Sequence, residues 1–238
     1  MTLTVLHLDE HLVAIDKPPG LLVHRTQLAA HEDEAALQLL RDQLGRPVWP
    51  VHRLDRGTSG VLLFALSAEG ASLLGAMFEQ GRMSKRYLAL VRGWPAEDAG
   101  LVDHPLARDP EKPSAGQPML DAQTRWRVLE RIEWPVATDA RFSTTRVALL
   151  EAEPLQGRRH QIRRHLKHIA HPILGDATHG KGPLNRAVAA YLGMNRLWLH
   201  AQRLALEHPV SGALLALEAP PSGWLLPGAA GPRQSDRG

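Results

Sequence analysis

The run Val61-Leu62-Leu63-Phe64-Ala65-Leu66 is apolar at every position and is bounded by Gly60 and Ser67. An unbroken run of this length, closed at both ends by residues that interrupt regular structure, reads as a buried strand. Directly before it lies His52-Arg53-Leu54-Asp55-Arg56-Gly57-Thr58-Ser59-Gly60, and before that Val48, Trp49 and Val51. The polar turn therefore sets one carboxylate, Asp55, at a strand edge, where a scaffold holds a group that stays reachable. Two readings compete. Asp, Gly, Thr and Ser are ordinary turn formers. Alternatively, Arg53 and Arg56 flank a working carboxylate, since nearby positive charge favours the ionised form. Residue chemistry alone leaves both open.

The rest of the chain supplies the partners of that strand. Residues 2–8 and 11–16 read as short strands, and residues 17–31 as a loop rich in Pro, Gly and His. Residues 32–44 read as a helix with Ala36, Leu39 and Leu40 on one face and Gly45 at its end. Ser67 is a candidate N-cap for a helix over 68–80 whose apolar face is Leu73, Leu74, Met77 and Phe78. Residues 84–91 read as a strand. Residues 93–122 are rich in Pro, Gly and charge and read as a long functional loop with a short hairpin. Strands are expected over 123–131 and 144–153, a short helix over 187–193, and a closing hairpin over 196–206 and 213–218. Strands and helices alternate without a regular βαβ rhythm, which favours an α+β fold on a mixed, largely antiparallel sheet. One domain over 1–226 is expected, followed by a disordered tail from 227.

Bulk properties narrow the function. There is no cysteine among the 238 residues, so disulfides, thiolate catalysis and Cys-ligated zinc are excluded. The first twenty residues carry His7, Asp9, Glu10, Asp16 and Lys17 and do not read as a signal peptide; no apolar run is long enough to span a membrane. A cytoplasmic protein is the expectation. The net charge of +3 says little, but its distribution says more. Arg158, Arg159, Arg163, Arg164 and Lys167 fall within ten residues, with no acid between Glu153 and Asp176. Ile162, Leu166 and Ile169 make a narrow apolar stripe on the same segment, so it reads as an amphipathic helix. Its charge is too dense and too uncompensated for a salt-bridged face, and phosphate binding is the better reading. His160, His165, His168 and His171 cluster there, but no acidic or Cys ligand accompanies them and a spacing of three drifts around a helix; no metal is expected.

Several segments, in order, resemble one family. His52 to Gly60 resembles the HRLD-x-x-TSG signature of the RluA group of pseudouridine synthases. Lys17-Pro18-Pro19-Gly20 resembles its K-P-x-G motif, and Lys85-Arg86-Tyr87-Leu88-Ala89-Leu90-Val91-Arg92-Gly93 its K-x-Y-x-A-x-V-x-G strand. Gly157-Arg158-Arg159-His160-Gln161-Ile162-Arg163-Arg164-His165-Leu166 resembles its G-R-x-H-Q-[IL]-R-x-H-[LM] helix. His171 to Asp176 and Leu199-His200-Ala201 fall where the group places similar segments. Trp134 to Thr138, Ser143 to Arg146 and the Arg163 to Leu166 stretch are most similar to members acting on tRNA. Gln156 stands where Thr is usual and Pro19 where Ser is frequent. The chain starts directly with the catalytic part, without an S4-type RNA-binding module, which weakens a ribosomal RNA assignment.

The resemblance implies a curved central sheet with flanking helices and a cleft across it. It also implies isomerisation of uridine to pseudouridine, with tRNA position 65 as the target, no cofactor, no protein partner and a monomer. Asp55 would be the catalytic carboxylate, paired with Arg163 through a bidentate contact, and Tyr87 would pack on the target uracil. Arg53 would fill the gap left by the flipped nucleotide and His52 would shape the turn; the other reading of His52 is a general base, since a histidine is always a candidate at neutral pH. RNA contacts are expected from His52, Arg53, Arg56, Lys17, Lys85, Arg158, His160, Arg164 and Lys167. Three alternatives stand beside this one: a ribosomal RNA pseudouridine synthase, an RNA-binding protein without catalysis, and a glycosylase that releases free uracil.

Overall fold

The computed structural model describes residues 1–24, 34–138, 142–224 and 226–228. Strands β1 (Thr4–Leu8) and β2 (Leu12–Lys17) form a hairpin around Asp9, whose carboxylate accepts the His11 and Leu12 N–H groups. Helix α1 (Ala36–Leu44), β3 (Trp49–Pro50) and β4 (Ser59–Ala65) follow. Helix α2 (Ala68–Glu79) starts on Ser67, whose hydroxyl accepts the Gly70 N–H at 3.0 Å, satisfying one of the helix's orphan donors. Next come β5 (Ser84–Arg92), β6 (Ala99–Asp103), β7 (Leu106–Ala107), β8 (Met119–Leu120), β9 (Gln123–Trp134) and β10 (Thr145–Pro154). The chain continues through α3 (Gln161–His168), α4 (Gly182–Leu192), β11 (Leu199–Glu207) and β12 (Leu214–Glu218).

The architecture is α+β, built on one sheet of order β1-β2-β4-β11-β5-β10-β9-β6, with β12 added to β11 and β3 to β4. Among the described residues every pairing is antiparallel except β4 with β11. The apolar run becomes β4, buried at all seven positions. Its alternation explains why no polar residue interrupts it. Leu62 and Phe64 face Ala36 and Leu40 of α1, while Val61, Leu63 and Ala65 face Leu74 and Met77 of α2. A strand covered on both faces has no solvent side. A third cluster joins β5 and β10 to Ile162 and Leu166 of α3, Leu184 and Val188 of α4, and Trp198 and Trp224. No helix among the described residues is long and apolar enough to cross a membrane.

Four expectations need correction. The first helix begins at Ala36, because Ala35 is extended (φ −137°, ψ 155°) and bridges to Leu22; residues 32 and 33 lie outside the described residues. Leu73 is 48% exposed and does not belong to the buried face of α2. Within residues 93–122, β7 and β8 form the expected short ribbon, but β6 docks on β9 as an edge of the main sheet. The helix expected over 187–193 runs from 182 to 192, opened by Pro183 in its first turn, where a missing N–H costs nothing. Of the tail from 227, residues 229–238 lie outside the described residues.

At Gly60 the turn meets the sheet. Its φ is +107°, and a Cβ there would sit 2.2 Å from the Ala201 carbonyl oxygen of β11. The obstacle is backbone, so nothing can give way. Gly60→Ala is expected to destabilise the protein by about 3 kcal/mol or more, the range of strained or overpacked sites. Urea denaturation checks this; a midpoint matching the parent protein would show that the approach is looser than described.

Candidate active site

The turn between β3 and β4 carries Asp55. The Thr58 N–H closes it onto the Asp55 carbonyl (3.0 Å). From outside, the Arg56 carbonyl takes hydrogen bonds from the Gly20 N–H (2.9 Å) and from Lys17 Nζ (3.1 Å), and Arg56 Nε donates to the Gly20 carbonyl (2.9 Å). The Asp55 side chain opens into a cleft of about 630 Å³ between the turn, the starts of β5 and α3, and α2. Asp55 Oδ2 accepts from Arg163 Nη1 at 2.8 Å. Oδ1 has no hydrogen-bond donor among the described residues; His160 Nε2 lies 3.8 Å away.

Arg163 does more than hold Asp55. Its Nε and Nη2 donate to Asp176 Oδ2 (2.7 Å) and Oδ1 (2.9 Å). The expected bidentate contact with Asp55 is therefore corrected: the two-pronged pair is with Asp176, and Asp55 receives the remaining arm. Asp176 is 1% exposed and was not among the expected site residues. Burial pushes its carboxyl up. The Arg163 hydrogen bonds and charge, helped by the His179 N–H, outweigh that and hold it below the ordinary value. The N–H groups of Thr178 (2.9 Å) and His179 (2.8 Å) both reach Oδ1. Burial alone would lower the Arg163 pKa, but its two carboxylates raise it.

Of the twelve residues expected to act here, Asp55, Tyr87, Arg163, His52, Arg53, Lys85, Arg158 and His160 line the cleft. Tyr87 is half-buried, and its pKa is pushed up by burial and by the Asp55 charge, so its hydroxyl stays protonated at neutral pH. Arg53 is exposed, and its guanidinium has no partner among the described residues. Arg158 is exposed and donates to the Asp121 carbonyl (3.1 Å). Lys85 is 7% exposed, donates to the Gln156 carbonyl (3.1 Å), lies over the Phe78 ring, and is pushed by burial down to about 8. His160 sits in the left-handed region (φ 55°) at the N-terminus of α3, with Nδ1 3.3 Å from His179 Nε2; burial lowers its pKa.

Five expected RNA contacts are placed differently. His52 fills a gap in the sheet. The second edge of β4 is shared by β11 at its start and β3 at its end, which strands the Leu63 N–H between them. His52 Nε2 accepts that N–H at 3.1 Å, and the ring stacks on Phe78 at 4.7 Å. Burial, then the Lys85 charge, push its pKa to about 3. It is a neutral acceptor inside the sheet, which removes the general-base reading. Lys17 has no exposed surface; its ammonium is spent on the carbonyls of Pro18, Leu21 and Arg56. Arg164 donates to the Ala107 carbonyl (2.9 Å) and, like exposed Lys167, stands outside the cleft lining. Arg56 is exposed but also lies outside that lining.

Sequence reasoning missed one more set. Buried Ser59, at the end of the turn, contacts His200 Nδ1 (2.8 Å), while His200 Nε2 reaches the Ala219 carbonyl (3.0 Å) and Arg196 Nη2 reaches Ser59 Oγ (2.6 Å). A carbonyl only accepts, so Nε2 carries the proton. Nδ1 of the neutral ring then accepts the Ser59 hydroxyl. The four histidines of the basic segment diverge. His165 contacts Thr124 and the His104 carbonyl, His168 stacks on His104, and His171 contacts the Arg92 carbonyl. Among the described residues no group of three could hold a metal ion.

Residues 11–168 match the family model described as RNA pseudouridylate synthase. The chain is 47% identical over 212 residues to "tRNA pseudouridine synthase C" of Vibrio cholerae, covering 87% of this chain and 86% of the relative. The protein of the same name from Pasteurella multocida is 45% identical over 222 residues, covering 89% and 88%. Among solved structures, human RNA pseudouridylate synthase domain containing 4 superposes with a TM-score of 0.66 at 28% identity, covering 91% of this chain and 88% of that one. Human RNA pseudouridylate synthase domain containing 1 gives 0.72 at 24% identity, covering 92% and 83%, and shares the fold.

The Asp176 pair yields a pH-dependent expectation. Its folded carboxyl lies below the ordinary 3.8, so the stability it supplies is present above that value and is lost as pH falls through the folded pKa. Asp176→Asn should cost about 3 kcal/mol at neutral pH, as for a broken buried pair. The gap between variant and parent should shrink as pH drops below 3.8. Denaturant titrations at several pH values measure it, and a gap that does not change with pH would mean the carboxylate is not charged in the fold.

Proposed function

The chain belongs to the RNA pseudouridylate synthase family, and we propose that it isomerises one uridine of transfer RNA, that at position 65, with Asp55 as the working carboxylate. It is an isomerase: uracil leaves through its N1–C1′ bond, turns, and rejoins the same ribose through C5. The C5 hydrogen is lost as a proton and N1 gains one, so atoms and electrons balance without oxidant or energy input. The observation that carries the site assignment is Asp55 itself, with one oxygen held by Arg163 and the other open to a cleft of nucleotide size.

Each lining residue has a part in this reading. The open Oδ1 either attacks C1′ or removes a ribose proton. Arg163 holds the carboxylate in one orientation. Tyr87 offers its ring face to the detached uracil. Its protonated hydroxyl is a poor first base, so water is the better acceptor for the C5 proton. The target must leave its helix first, at a cost of a few kcal/mol. Arg53, unpartnered at the mouth, can occupy the vacated space, while Arg158 and Lys85 meet the backbone. The substrate assignment rests on the relatives named as tRNA enzymes.

Mapping modified sites in tRNA and ribosomal RNA after incubation with the pure protein tests the substrate. Product at tRNA position 65 is the expected result; product only in ribosomal RNA, or free uracil, overturns it. Asp55→Ala should abolish product and leave RNA affinity nearly unchanged in a binding assay, and a variant that still makes pseudouridine refutes the site. Lys85 loses its proton as pH rises through about 8. RNA affinity should weaken across that interval in the parent protein and stay level in Lys85→Met.

A further inference from the structure

We propose that the hollow at the opposite end of the β5–β10 ribbon from Asp55 and Tyr87 is a second phosphate-binding site, which holds the substrate RNA's backbone away from the reacting uridine. The inference rests on the reading of the chain as an RNA-modifying enzyme and adds to it a grip outside the cleft. The hollow measures about 660 Å³, as large as the cleft. Arg92 at the end of β5, Arg146 at the start of β10 and Lys181 at the N-cap of α4 converge on it, and all three are exposed.

Their charges are uncompensated. Several other basic residues on the sheet's surface are paired: Arg125 with Glu153, Arg127 with Glu151, Arg131 with Asp98 and Arg203 with Glu218. Among the described residues, Arg92, Arg146 and Lys181 have no carboxylate partner within ion-pair distance. Glu133 also lines the hollow, but its Oε1 accepts the Thr144 hydroxyl at 2.6 Å. Among the described residues the lining carries three cations and one acid, and such a balance in a concavity makes a local field that draws anions.

The site is also organised. The Arg146 guanidinium lies 4.6 Å over the Trp94 ring. That ring is itself fixed by Nε1 donating to the Ile132 (3.1 Å) and Val147 (3.0 Å) carbonyls. A stacked guanidinium keeps its N–H fork free for phosphate oxygens. No side chain caps the α4 N-terminus, so its dipole adds to the same field.

The two sites lie within one RNA's reach. Asp176, held by Arg163 at the cleft, and Lys181 are five residues apart, which a fully extended chain spans in about 17 Å. Tyr87 and Arg92 lie five residues apart on one strand, again about 17 Å. RNA-binding modules commonly grip a duplex over about 16 base pairs, far more than this.

The test compares the triple variant Arg92→Gln/Arg146→Gln/Lys181→Gln with the parent, using Arg125→Gln/Arg127→Gln/Arg203→Gln as a charge-matched control. Each is assayed on full-length RNA and on a minimal stem–loop bearing the target. For the triple variant on full-length RNA, KM should rise with kcat unchanged, and the slope of log affinity against log salt should fall by about 2 to 3, roughly one per lost contact. The stem–loop and the control variant should be unaffected. An unchanged KM and salt slope in a variant with parental thermal stability overturns the proposal. So does an equal loss on the stem–loop, or tight saturable binding of inorganic phosphate that leaves RNA affinity untouched. Losses are scored on whichever RNA the parent enzyme modifies, so a wrong substrate assignment and an absent second site give different results.

Discussion

Arg163 serves two carboxylates at once, and the geometry of the cleft follows from how it divides its donors. Two arms go to Asp176 and one to Asp55. Asp176 is in turn held by backbone N–H groups of Thr178 and His179, so its orientation is set by the chain and not by a rotamer choice. Position therefore passes from a tight backbone turn to Asp176, to the guanidinium plane, and to one oxygen of Asp55. Lysine could not replace it. An ammonium is a point charge without a fixed fork, so it could neutralise the two acids but not orient them.

The turn that carries Asp55 is braced from behind in a similar way. Lys17 ties it to the preceding loop through three carbonyls, His52 closes the gap where β3 and β11 part, and Ser59 is bonded into the His200–Arg196 set. Each is a buried polar group whose donors or acceptors are used within the protein. A buried polar group left unpaired costs about 1–3 kcal/mol, so these contacts fasten the turn as much as they stabilise the fold.

Much of this was legible in the chain. The unbroken apolar run announced a strand covered on both faces, Ser67 announced the start of α2, and the nonapeptide announced Asp55. What could not be read were the destinations of polar side chains. Lys17 and Lys85 look alike as lysines next to motif residues, yet one is sealed under the turn and the other lines the cleft, because burial is decided by strands far away in sequence. His52 looked like a candidate for proton transfer; its role depends on a fork in the sheet edge created by β11, some 140 residues on. Asp176 stood inside a segment whose resemblance was noted, but only the approach of α3 shows that it shares an arginine with Asp55. The strand β6 was hidden because its sequence, from Ala99 to Asp103, is short and half polar and becomes a strand only by lying against β9.

Under the proposed function, the charges of the cleft would select which end of a nucleotide enters. At the floor, one guanidinium faces two carboxylates; His160 and His179 are kept neutral by burial and Tyr87 keeps its proton. Lys17, behind the turn, is pushed to about 7 and offers only part of a charge. The floor is thus negative or near neutral, while the cations that line the cleft above it are Arg53, Arg158 and Lys85. A phosphate is repelled from the first and attracted to the second. An everted nucleotide can satisfy both only by leaving its phosphates at the mouth and presenting base and ribose inward, which is the orientation an attack at C1′ or on a ribose proton requires.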